Sequence, residues 1–310
     1  MKTSGRASPK RAMSAPAART HPAIQCNCVF EIGSSDPSGN LASHVTEAGA
    51  GRIMLLVVAA LAEEVKVVLE SAGQVRRIGG AASLFQSRRD GQQFCLLKSG
   101  VGPKAAANRL ADALRRVRPS LILVVGYAGA LKAGLELGDL VAIERSSLLK
   151  KLQPEAIAAG DSTCEGSWEL PGSRHLARIA ASAGLSIHCS EGLTSHDVIG
   201  DPFHKELLHR QFGAGVVDME TAALARVAES EKVPAACVRV ITDSANDTFL
   251  KPFSFQSRAE RVTTHVHSLA TGKFFHHLRE WNERAQIARR SLGQFLDVYF
   301  QTRAAESGPD

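Results

Sequence analysis

The sequence predicts an α/β fold, a three-layer α/β/α sandwich around a central mixed sheet. Three observations carry that prediction. Short all-apolar runs at 53–60 and 121–125 suit strands buried on both faces. Segments with apolar residues at helical spacing alternate with them along the chain. Pro and Gly punctuate the joins, at Gly73, Pro103 and Pro234. A chain of 310 residues that is 44% hydrophobic can enclose one large core or two small ones.

Each element has its own warrant. IMLLVVAA at 53–60 reads as the first buried strand, and AEEVKVVLESAG follows as a helix that Gly73 ends. Two short strands, 83–88 and 94–98, turn at Asp90-Gly91, a pair suited to a tight hairpin. Pro103 opens a helix in which Ala106, Leu110, Ala113, Leu114 and Val117 recur on one face. The strand 121–125 runs into a glycine turn, GYAGAL, and 140–143 is another strand. Residues 146–168 lack periodicity and read as a loop over the site. Helices at 174–183 and 202–212 flank an extended stretch at 187–190. Val216 and Val217 lead into a helix opened by Asp218, Met219 and Glu220, with Leu224, Val227 and Ala228 on one face. AACVRVI after Pro234 is a strand ending in Thr242 and Asp243. A helix over 256–281 and a second, amphipathic one over 283–302 complete the pattern, the latter with Ile287, Leu292, Phe295, Leu296, Val298 and Phe300 apolar.

Composition sets the outer limits. Residues 1–51 are rich in Ala, Ser, Pro, Gly and Arg and cannot bury enough surface to offset ordering entropy. They are expected to be a disordered leader, an organelle transit peptide, or a reading frame begun upstream of the true start. Residues 52–281 are the main domain, and 282–310 an amphipathic helix and tail. Net charge is +6, with Lys2, Arg6, Lys10, Arg11 and Arg19 opening the chain and further arginines closing it. Few aromatic residues interleave with these charges, so a nucleic-acid platform is not expected. No apolar run approaches the ~20 residues that span a bilayer, and a cytoplasmic location is expected. The six cysteines include a lone CxC, Cys26 and Cys28, with no second pair at zinc spacing, while Cys95 and Cys237 lie in apolar runs. That pattern points to a reducing compartment and no structural metal.

Ligands of open α/β sheets sit outside the carboxyl ends of the strands, and two acids fall there. Asp243, between Thr242 and Ser244, suits a turn or a helix cap, and equally a general acid. Glu220, in a first helical turn, suits the macrodipole, and equally a grip on a ribose diol. Arg239 interrupts a buried strand and needs a carboxylate or ligand beside it, for which Glu220 is the natural candidate. Glu63 and Glu64 follow the first strand, where either favours the helix terminus or serves as a general base. Gly126 and Gly129 permit close backbone approach. Neither GxGxxG nor a P-loop follows, so dinucleotide and triphosphate binding have no support. His196 and Asp197 are adjacent, which gives no assurance that they face each other. GxSxG and HExxH are absent.

Taken in order, ALAEEV, KSGVGPKAAA, VVGYAGALKAGLELGDLVAIE, VVDMETAA and VRVITDSAND resemble the nucleoside phosphorylase and nucleosidase superfamily over residues 52–278. The chain is most similar to its methylthioadenosine/S-adenosylhomocysteine nucleosidase-like hydrolases. The resemblance implies cleavage of the N-glycosidic bond of an adenosine-type nucleoside by water, with no cofactor. It implies that Met219 and Glu220 hold the ribose, and that Asp243, supported by Thr242, protonates the leaving purine. Glu64 would activate the water, and Arg239 would sit near the ribose and the carboxylates. Gly126 and Tyr127 belong to the glycine turn at the substrate, Tyr127 where a small residue is usual. Ile199 stands where an aromatic residue usually covers the base. Val124 occupies a position at which phosphorylases of the superfamily carry an arginine, which favours hydrolysis. A phosphorylase, a futalosine- or adenosylhopane-type enzyme, and a non-catalytic nucleoside-binding domain are the alternatives. A homo-oligomer is implied by the family, and the adenosylhopane alternative would bring the C-terminal helix to a membrane.

Overall fold

The first apolar run becomes β1 (Leu55–Ala59) in a computed structural model that describes residues 54–70, 72–78, 83–150, 154–248 and 273–307. β1 is central because both its faces are apolar. It pairs in parallel with β4 (Gln92–Lys98) on one side and β5 (Leu121–Ala130) on the other. Its alternate residues serve two layers, as the period of a strand requires. Leu56 and Val58 pack toward α2 (Pro103–Leu114) and α6 (Thr221–Ser230). Leu55, Val57 and Ala59 pack toward α1 (Ala62–Leu69), α4 (Ser173–Ser182) and α7 (Lys273–Ser307). A smaller core joins Ile157 of α3 (Pro154–Ala158) and Leu208 of α5 (Pro202–Phe212) to Leu149, Leu193 and Val217. The three expected layers are present.

The sheet is mixed, and it closes on itself at one end. From its open edge run β2 (Arg76–Arg77), β3 (Leu84–Arg89), β4, β1 and β5. β5 then pairs with both β9 (Val216–Asp218), antiparallel, and β10 (Ala235–Asp243), parallel. β9 pairs with β8 (Ile187–Thr194), β8 with β6 (Leu140–Leu149), and β6 with β10, so five strands form a ring. β7 (Cys164–Glu169) lies outside it, antiparallel on β6.

Three expectations need correction. GYAGAL is not a turn but the end of β5. Gly126 to Gly129 pair with Arg239 to Asp243, and cross-strand pairing overrides the glycines. Residues 146–168 are not a loop over the site. β6 continues through Leu149, α3 and β7 follow, and no residue of this stretch lines the pocket. CEGSWE is a polar edge strand, with burial alternating along it, and that composition resembles a loop. Finally, the C-terminal segment is one helix, α7, unbroken between 281 and 283. Ala288, Leu292, Phe295, Leu296, Tyr299 and Phe300 bury against the sheet, whereas Ile287 is 42% exposed.

Arg89 of β3 pairs with Asp297 of α7 and lies 5.1 Å from the Phe300 ring. From Ala288 to Phe300 the apolar stripe of α7 packs on the sheet. No helix among the described residues is long and apolar enough to cross a membrane. The expected leader at 1–51, Cys26 and Cys28, and the expected helix as far as residue 272 lie outside the described residues.

Candidate active site

A pocket opens where β1, β5, β9 and β10 end. Ala60, Leu61 and Glu64 come from the β1–α1 junction, and Tyr127 to Gly129 from late β5. Val217 to Glu220 leave β9, Thr242 and Asp243 end β10, and Asp197 to Ile199 follow β8. The strand-end rule therefore holds even though the sheet is partly closed.

Glu64 sits in the first turn of α1 and is buried. Its Oε2 accepts from the backbone N–H of Ala60 and Leu61, both at 2.8 Å, satisfying donors the helix start leaves free. Its Oε1 accepts from Tyr127 N–H at 2.9 Å, which ties α1 to β5. Helix capping and site placement are thus one arrangement. Burial raises the Glu64 pKa, against the pull of Arg239 and of these three N–H groups.

Arg239 lies between carboxylates, with 1% exposure. Its Nη2 is 2.7 Å from Asp218 Oδ2 and 3.6 Å from Glu220 Oε2, so Asp218 is its nearer partner. The expected Glu220 pairing is corrected to that extent. Asp218 also caps α6. Its Oδ1 accepts from Glu220 and Thr221 N–H, each at 3.2 Å, and from Thr194 Oγ1 at 2.7 Å. Thr221 Oγ1 in turn accepts from Arg239 Nη2 at 2.9 Å and donates to Asp218. Glu220 stands at the N-cap position, and its Oε1 accepts from Gly102 N–H at 2.9 Å. Burial raises the Glu220 pKa, with Arg239 opposing and Asp218 adding to the rise. Gly126 lies opposite Arg239 in the sheet, and a Cβ there would stand 2.4 Å from Arg239 Nη1 and 2.5 Å from Glu64 Oε1. Only glycine leaves room for both.

Asp243 is the last residue of β10 and is buried. Its Oδ1 accepts from Thr242 Oγ1 at 3.0 Å, and its Oδ2 from Lys205 Nζ at 2.5 Å. Burial raises its pKa, while Lys205 and Thr242 pull it down. A Cβ on Gly129 would be 2.8 Å from Oδ2, so this glycine also makes space for an acid.

Of the residues expected at a site, Glu64, Tyr127, Ile199, Met219, Glu220, Thr242 and Asp243 line the pocket together. Gly126 and Arg239 lie behind that wall, reaching it through Glu64 and Glu220. The Tyr127 hydroxyl is buried without a partner among the described residues. Asp197 lines the pocket; His196 does not, and its buried Nε2 lacks a partner among the described residues. Glu63 is exposed, which separates it from Glu64.

Sequence reasoning missed Asp218, Lys205 and the Gly102 N–H. Asp218 was legible in VVDMET, since a buried arginine needs the acid that reaches it directly. Lys205 was legible only through Leu208, three residues on and buried on the same helical face. Among the described residues no cluster of His, Cys, Asp and Glu is arranged to hold a metal ion.

The fold has counterparts among solved structures. The 5′-methylthioadenosine/S-adenosylhomocysteine nucleosidase of Neisseria meningitidis, in complex with methylthio-immucillin-A, is similar with a TM-score of 0.62 and 16% identity, over 80% of this chain and 99% of that one. The futalosine hydrolase of Helicobacter pylori gives 0.62 and 17%, over 80% and 97%. The 5′-methylthioadenosine/S-adenosylhomocysteine nucleosidase of Campylobacter jejuni gives 0.59 and 18%, over 79% and 98%. Residues 54–272 match the family described as the Phosphorylase superfamily. With that match over most of its length, and with the strand-end pocket in place, the chain belongs to the Phosphorylase superfamily.

Proposed function

We propose that this protein is a purine-nucleoside N-ribohydrolase that uses water to cleave an adenosine-type nucleoside of the methylthioadenosine or adenosylhomocysteine kind. The observation that carries the reading is the charge of the pocket wall. Glu64, Asp197, Asp218, Glu220 and Asp243 line it, and among the described residues no Lys, Arg or His does. The buried cations nearby are committed: Arg239 to Asp218, and Lys205 to Asp243. An acidic wall repels a phosphate dianion and tolerates water, and its carboxylates favour the positive charge that develops on a sugar ring losing its base.

Each residue then has a role. Asp243 donates a proton to the purine as the C1′–N bond breaks and its electron pair moves to the base. Glu64 accepts a proton from the water that adds to C1′. The products are free base and the ribosyl hydrolysis product, and proton exchange with solvent resets both carboxyls. Raised pKa values suit both groups, because an acid must hold its proton near neutrality and a base must be able to take one. Glu220 accepts from the ribose hydroxyls beside Met219, and Arg239 orients Glu220 from behind. Ile199 packs the base, and Thr242 orients Asp243. Tyr127 forms part of the wall beside the substrate, and its backbone N–H holds Glu64. Cytoplasmic residence and a homo-oligomer belong to the same reading and rest on the resemblance.

The test is a panel of methylthioadenosine, adenosylhomocysteine, futalosine and inosine, assayed for free base with and without phosphate. Release without phosphate is expected, with Asp243→Asn slower by about 10²–10⁴-fold. Release only with phosphate would replace water by phosphate as the nucleophile. Normal release by a folded Asp243→Asn would remove Asp243 as the acid.

A further inference from the structure

Lys205 is fully buried on α5, four residues after the N-cap Asp201, where the helix dipole disfavours a cation. Its surroundings explain why it is tolerated. Nζ donates to Asp243 Oδ2 at 2.5 Å, to Ser244 O at 2.8 Å and to Asp247 O at 3.1 Å. Three acceptors call for three N–H donors, and only the ammonium form supplies them. Two of those acceptors are carbonyls of the turn that follows β10. Arg284 of α7 meets the same turn elsewhere, donating to Thr242 O at 3.2 Å and Asp247 Oδ2 at 2.8 Å. Asp243 therefore faces Lys205 from α5, Arg284 from α7 and the Thr242 hydroxyl from its own strand. Glu64, Asp197, Asp218 and Glu220 share its pocket.

Resting on the nucleosidase reading, we propose that Lys205 is the positioning residue of Asp243: by occupying Oδ2 it leaves Oδ1 as the oxygen that carries the proton to the leaving base. When that proton moves from Oδ1 to the base, the electron pair of the O–H bond stays on the carboxylate, and the ammonium already beside Oδ2 stabilises the charge. Because the same ammonium holds Ser244 and Asp247, the acid and its turn are fixed as one piece. Thr242, hydrogen-bonded to Oδ1, sets the direction of the remaining oxygen.

Lys205→Met tests this through the pH profile. Without the cation the Asp243 carboxyl holds its proton to higher pH. The alkaline limb of kcat, where Asp243 loses that proton, is expected to move up by at least about one pH unit. The plateau of kcat is expected to fall by about 10²-fold, with KM little changed. Lys205→Arg, which keeps the charge, is expected to return the limb toward its original position. Should Lys205→Met fail to fold, Lys205→Gln keeps two donors and carries the same expectation. A second readout needs no turnover: the carboxyl ¹³C titration of Asp243 in the unliganded protein, assigned with Asp243→Asn, shifts upward in the same variants. A folded variant whose limb and carboxyl titration both stay in place overturns the role of Lys205. Absence of base release by the unaltered protein overturns the nucleosidase reading instead, and the carboxyl titration then decides on Lys205 alone.

Discussion

Replacing Arg239 with methionine removes the cation that Asp218 and Glu220 share, at 2.7 and 3.6 Å, from a site only 1% exposed. Methionine retains much of the stem volume, so the loss is mainly electrostatic. Taking one partner from a buried ion pair costs about 3–5 kcal/mol, because the charge left behind is desolvated and unpaired. For a domain of this size each kcal/mol lowers the melting temperature by about 2–4 °C, so a fall of about 6–20 °C is expected.

The deficit should also depend on pH. Burial already raises the folded pKa values of Glu64 and Glu220, and Arg239 is the first opposing influence on each. Without it they rise further. Carboxyls with raised folded pKa values contribute stability that is fully present below their unfolded values and lost as pH rises through the folded ones. The variant is therefore expected to lose more at pH 8 than at pH 5.5, in urea unfolding followed by circular dichroism. An equal deficit at both pH values would assign the loss to packing and refute the electrostatic account. A deficit below about 1 kcal/mol would refute the buried pair as a major contributor.

Two further outcomes are expected. The unaltered, unliganded protein should itself be most stable at mildly acidic pH and weaken as pH rises through the raised values of Glu64, Glu220 and Asp243. Glu220→Gln should flatten that slope in urea midpoints taken from pH 5 to 9, and an unchanged slope would remove Glu220 as a source of it. Gly129→Ala places a methyl 2.8 Å from Asp243 Oδ2 and should lower kcat for base release by about 10²-fold. Its cost in stability should be about 1–3 kcal/mol, and a normal kcat would show that the carboxyl can shift without penalty.

Local pattern carried most of the elements. β1, α2, α5 and the β9–α6–β10 unit announced themselves through apolar runs, Pro at helix starts and acids at strand ends. The hairpin was legible at Asp90 and Gly91, which both adopt positive φ, at 46° and 75°. Ring closure was not legible, since no residue of β5 encodes that it will meet β9 and β10 as well as β1. The same gap explains why GYAGAL resembled a turn, for glycine signals freedom and not the crowding that requires it here. In the site, the carboxylates were visible because buried or strand-end acids are rare. Arg239 required a partner, but its choice of Asp218 over Glu220 depends on side-chain reach across α6. Apart from Leu208, nothing in HKELLHR marks Lys205 for the interior, because a lysine's burial is decided by what lies opposite it.

The strand ring also orders events in time. β5 forms early in the chain, yet its partner β10 is the last strand among the described residues, and its register of Ala235 with Ile122 joins distant segments. Such pairings form slowly because the loop between them must close first. Until residues 235–243 leave the ribosome, β5 and β6 each present an open edge, the kind of surface that recruits wrong partners. The strand that closes those edges also delivers Arg239, Thr242 and Asp243. A nascent chain short of it is sticky and also lacks the acid that the proposed reaction needs, and closure of the strand ring removes both conditions at once.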